Sequence, residues 1–179
     1  MPKFREGYRF LLGYHEFMCF VLYAGTTKPL PRRTWQKEAP DLCVVSLTER
    51  DAPIKKHFRS PEVQYVGSTS GCGCDFPNVN LYKGEWPLFA VESDPERDAS
   101  DHYNRKALVA LLQRSGDKTV ELYGVWDGDF AKTPRALEEI SLQRILDSNF
   151  RFKEQGFYTV MVKEDPTLAP DRSDVDGPQ

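Results

Sequence analysis

Residues 68-STSGCGCDF-76 bring three hydroxyls, two glycines, two thiols and a carboxylate into one short stretch. Cys72 and Cys74, one residue apart, could chelate a single soft ion as thiolates, zinc being one metal that suits them. The same pair could cycle with a disulfide, or supply a thiolate nucleophile, so Cys72 and Cys74 are also the candidate catalytic residues. Hydroxyls and backbone N–H groups of Ser68, Thr69, Gly71 and Gly73 could instead hold the anionic group of a small ligand, with Arg32 and Arg33 supplying positive charge. The structural alternative is a tight turn. In it, Gly71 and Gly73 permit positive φ, while Cys72 and Cys74 pack as small apolar side chains.

Better-known patterns do not complete themselves around this loop. A Walker loop needs Lys-Ser/Thr at its end and a helix directly after it, whereas this one ends in Asp75-Phe76-Pro77. The dinucleotide fingerprint fails on spacing. A thioredoxin-type C-x-x-C is missing. Tyr65-Val66-Gly67 resembles half of the GIY-YIG nuclease signature, but no Gly-Ile-Tyr segment precedes it and the likeness ends at those residues. The WDGD stretch, with Asp127 and Asp129, reads as a turn because it lacks the further spaced oxygens of a calcium loop. His15 and His102 have no Ser or Cys at a recognisable catalytic spacing. Were Met18 the start, its removal would expose Cys19 as an N-terminal nucleophile. The chain as given begins at Met1, and Cys19 reads as part of a buried strand.

The elements that must position the loop follow from pattern and composition. A chain of 179 residues, 40% hydrophobic and 12% aromatic, can bury its own core as one domain. Residues 18–163 are expected to form it, with 1–17 an accessory segment and the acidic, proline-bearing 164–179 a disordered tail. The net charge of −3 gives no basic excess for nucleic acid. No apolar run is long enough for a bilayer, and His15 and Glu16 break up the one stretch that resembles a signal peptide. A cytoplasmic location is expected, with the four cysteines as thiols or ligands instead of a disulfide framework.

Strands are expected at residues 18–24, 42–48, 63–67, 118–126 and 156–162, and helices at about 51–57, 100–114 and 133–147. A short hairpin is conceivable within 79–91. The alternation after the second strand predicts an α/β fold: one mixed, largely parallel sheet of about five strands with about three helices, α+β being the alternative. In such a sheet the loops GTTKPLPRR, GSTSGCGCDFP and WDGDF would gather at the carboxyl edge, where ligands bind. Cys19 and Cys43 begin strands, and His57 ends a helix feeding another. All would then lie at the opposite edge from Cys72 and Cys74.

The function expected from these residues is a small-ligand or metal/thiol site on the Gly-Ser-Thr/GCGC loop, with a small anionic molecule as one partner class. The alternative is a non-enzymatic protein-binding module, in which GCGC is a turn and Trp35 and Trp86 meet a protein partner.

Overall fold

The computed structural model describes residues 19–79 and 95–162. Both proposed terminal segments, Trp86 and most of the suggested hairpin therefore lie outside the described residues. The chain runs β1 (Phe20–Thr26), β2 (Cys43–Ser46), a 3-10 turn (Ala52–His57) and β3 (Glu62–Gly67). A second 3-10 turn (Gly73–Asp75) and β4 (Asn78–Val79) follow, then α1 (Pro95–Arg114), β5 (Thr119–Trp126) and β6 (Ala136–Ser141). It closes with α2 (Leu142–Leu146), β7 (Phe152–Lys153) and β8 (Gly156–Met161).

Six strands form one sheet in the order β2-β3-β1-β5-β8-β6. Four of its neighbouring pairs are antiparallel, and only β6 runs parallel to β8. The expectation of a largely parallel sheet is thus overturned, and the architecture is closer to the α+β alternative. The segment 27–42 is the long irregular connection expected of it, a strap in which Arg33 bridges Val44. What misled the expectation was the alternation read after the second strand. The helix expected at 133–147 is strand over Ala136–Ser141 and helix only over Leu142–Leu146, because Leu137 and Ile140 fit a strand as well as a helix. Ala136, Glu138 and Ile140 face inward, while Leu137 remains 75% exposed. Helix begins only after Ser141, whose hydroxyl accepts from Arg144 N at 3.3 Å.

Alternation along the central strands gives the sheet two buried faces. Phe20, Leu22 and Ala24 of β1, with Val120 and Leu122 of β5 and Tyr158 and Val160 of β8, pack beneath Leu108, Leu112 and Ile145 of the helices. The intervening Val21, Tyr23, Tyr123 and Val125 face Ile54 and Phe130 on the other side. Asp51 and the first 3-10 turn cover this second face, with the Tyr23 hydroxyl donating to Asp51 at 3.3 Å.

Gln64 ties the strap to the sheet. Its buried amide accepts from Leu30 N at 2.6 Å and donates to Leu30 O at 3.2 Å. Replacing Gln64 by alanine would leave two buried backbone groups unpaired and is expected to cost about 2–3 kcal/mol. Chemical denaturation would read the loss, and accelerated exchange of the Leu30 amide would locate it. An unchanged denaturation midpoint would contradict the tether.

Candidate metal centre

Antiparallel pairing decides which residues meet. Leu22 lies opposite Val66 and Phe20 opposite Trp126, so β1 starts at the edge where β3 and β5 end. Loops 68–77 and 127–130 therefore share that edge with Cys19, which the parallel arrangement had put at the far end. Cys43 is also at this edge, opposite Gly67. The strap, by contrast, leaves β1 from the other end, where Thr27 N donates to Asp117 at 2.9 Å. It returns along the sheet until Trp35 Nε1 donates to Thr69 O at 2.7 Å.

The result is a sulfur cluster. Single Sγ atoms of Cys19, Cys72 and Cys74 all lie within 4.8 Å of one another. Cys43 is buried at 8% exposure and stands outside this group. His57 is not part of it either; its ring packs against Tyr123 at 5.2 Å between centroids, over the middle of the sheet.

Several contacts fix the loop's shape and tie it to β3, α1 and β7. Phe76 is fully buried in the core and packs against Phe152. Ser68 is also fully buried; its N–H donates to Cys72 O at 3.2 Å and its hydroxyl to Asp75 at 2.8 Å. The Ser70 hydroxyl donates to the same carboxylate. Asn104 of α1 accepts from both the Thr69 amide and hydroxyl, at 3.0 and 2.9 Å. The Tyr65 hydroxyl donates to Gly71 O at 3.2 Å.

The two loop glycines serve different needs. Gly71 has φ of 84°, the left-handed region a turn glycine is chosen for. Gly73 needs space instead: a Cβ there would stand 2.5 Å from the Phe20 carbonyl oxygen.

Backbone N–H groups point at two of the sulfurs. Phe20 N donates to Cys74 Sγ at 3.3 Å, and Cys74 N donates to Cys72 Sγ at 3.4 Å. Such donors favour the charged thiolate, but they do not win alone. Partial burial, then the neighbouring Cys72 thiol, push the Cys74 thiol up to about 12, and burial with Cys72 also raises Cys19. Little thiolate forms on Cys74 at neutral pH without a cation, which weakens its reading as a free nucleophile. A bound cation reverses that balance, because metal ligation deprotonates a thiol outright.

The remaining candidates separate from the thiols. Ser68, Thr69, Gly71 and Gly73 belong to the loop, where the first two spend their polar groups on Asp75 and Asn104. Arg32 is exposed. Arg33 forms an ion pair with Asp41 beside α1. Trp35, offered as a partner-binding aromatic, is 41% exposed but lies across Gly71, so much of its surface is already used. Cys19 is the residue that sequence reasoning left out of the thiol group, and antiparallel pairing of its strand was the missing signal.

Comparison with family models, with curated proteins and with solved structures finds no match to this chain. No helix among the described residues is long and apolar enough to cross a membrane.

Proposed function

We propose that the chain holds one thiophilic ion, zinc foremost, on Cys19, Cys72 and Cys74, and that the ion clips the 68–76 loop to the start of β1. The observation that carries this reading is the convergence of three sulfurs from two distant parts of the chain within 4.8 Å. A tetrahedral zinc with Zn–S bonds of about 2.3 Å keeps its sulfurs about 3.8 Å apart, so closure asks for shifts of about an ångström or less. The N–H groups of Phe20 and Cys74 supply the outer hydrogen bonds that thiolate ligands use. Three protein ligands leave a fourth position for water or an exchangeable ligand, on the side where Cys74 is exposed. We place the protein in the cytoplasm, where thiols stay reduced and available to a metal.

Zinc titration of the metal-free chain, with metal content by mass spectrometry and released protons counted in weak buffer, tests the proposal. One zinc per chain is expected. About two or more protons should leave per zinc at pH 7, since Cys19 and Cys74 hold theirs until the ion displaces them. The sign of the pH dependence follows. Protons compete with zinc for thiols whose ionisation is pushed upward, so apparent affinity must rise with pH through the neutral range. Without metal the linkage runs the other way. The folded chain keeps protons that the unfolded chain releases above its ordinary thiol range, so stability falls as pH rises from there toward 12. A chain that takes up no zinc and shows four freely titrating thiols would overturn the proposal.

A further inference from the structure

A separate cavity of about 330 Å³ opens between the strap, the start of β2 and the outer side of α1. It shares no lining residue with the thiol cluster. Its construction follows from the helix. Tyr103, Ala107, Ala110 and Arg114 recur every three or four residues and so lie along one side of α1. The methyl side chains of Ala107 and Ala110 leave a hollow where larger residues would have met the strap.

Leu42, Val44 and Leu111, all buried at 9% exposure or less, give the hollow apolar walls continuous with the core. Two cations edge it, Lys106 and Arg114. Among the described residues neither has an ion-pair partner, whereas the third cation, Arg33, is already paired with Asp41. An apolar wall with uncommitted positive charge at its rim complements a molecule with a hydrocarbon body and one anionic head. The volume lies at the small end of the range for ligand sites.

We propose that this cavity binds a small amphipathic anion, a carboxylate on a short aliphatic or aromatic body, with the body against Leu42, Val44 and Leu111 and the head between Lys106 and Arg114. The geometry separates two contributions. The walls supply affinity by removing apolar surface from water, and the cations select the charged head over a neutral one. Neither contribution uses the thiols, so the inference stands apart from the metal clip.

Octanoate is a suitable probe, and octan-1-ol and octylamine, of equal chain length, are its controls. Titrated into the isotope-labelled full chain and followed by amide NMR, octanoate should give saturable shifts centred on Val44, Ala107 and Ala110. Octanol should bind at least tenfold more weakly, and octylamine more weakly still. The double substitution Lys106→Glu and Arg114→Glu should reduce octanoate affinity about tenfold or more, yet change octanol binding little. Filling the hollow with Ala110→Phe should weaken both ligands, and an unshifted thermal midpoint would show that this variant folds. Equal binding of octanoate and octanol would overturn the charged-head assignment. Shifts elsewhere on the chain, or no saturable shift at millimolar octanoate, would overturn the site. Shifts at these amides that appear only with a peptide bearing an apolar side chain and a carboxylate, and not with octanoate, would overturn the small-molecule reading in favour of a protein partner.

Discussion

Zinc affinity is expected to fall about a hundredfold or more when any one of Cys19, Cys72 or Cys74 becomes serine, and to change by less than about threefold for Cys43→Ser. A hundredfold corresponds to about 2.7 kcal/mol, a modest share of the about 10–16 kcal/mol that complete structural zinc sites contribute. The loss should be similar at each position, because removing any sulfur reduces a three-ligand site to two. Cys43 is the informative control. It lies at the same sheet edge and is more buried than Cys72 or Cys74, yet its sulfur is outside the cluster. Its serine variant should therefore lose stability without losing metal, while the other three lose metal and retain the metal-free fold. Competition titration against a chromophoric chelator reads the affinities, and circular dichroism confirms that each variant folds. If only Cys72→Ser and Cys74→Ser weakened binding, the C-x-C pair would be acting alone and Cys19 would have no place in the site. If all four variants bound zinc like the parent, the sulfur cluster would be a packing arrangement of neutral thiols.

The contrast between Cys19 and Cys43 also measures what the sequence could disclose. Their strands were legible from apolar, β-branched and aromatic runs, as were β3, β5, β8 and most of α1. The pairing was not. Whether Cys19 meets Cys74 or lies a strand's length away depends on the relative direction of β1 and β3, and strand patterns are blind to direction. The strap was legible as a loop from its prolines, but its fixed points, Thr27 on Asp117, Leu30 on Gln64 and Trp35 on Thr69, are hydrogen bonds set by tertiary neighbours. Leu137 failed for a related reason: a leucine and an isoleucine three apart satisfy a helix, and only the neighbouring β8 makes that stretch a strand. The loop stood out as a candidate site by its residue types alone, and the third sulfur beside it was hidden by topology.

Gly73 carries the remaining large effect. Substitution by alanine is expected to destabilise the chain by about 1–3 kcal/mol, the range for forcing extra atoms into a packed site. The obstruction is backbone: the new methyl would stand 2.5 Å from Phe20 O and 3.2 Å from the Phe20 carbonyl carbon, and no rotamer change relieves it. The loop must therefore retreat from β1 by several tenths of an ångström or more. Because Gly73 lies between Cys72 and Cys74, the retreat carries both sulfurs away from Cys19. Closing on the ion already asks the sulfurs to move by up to about an ångström, and the retreat adds to that displacement, so zinc affinity should weaken about tenfold although every ligand remains. Two readings follow from one variant. The thermal midpoint should drop by about 2–4 °C for each kcal/mol lost, and excess zinc should restore part of the drop because it binds the folded chain more tightly than the unfolded one. A G73A protein with unchanged midpoint and unchanged zinc affinity would mean that the loop does not rest on the Phe20 carbonyl, and the convergence of the three thiols would fall with it. A lowered midpoint with undiminished zinc affinity would keep the close approach but separate it from the metal, making the loop's docking a matter of packing alone.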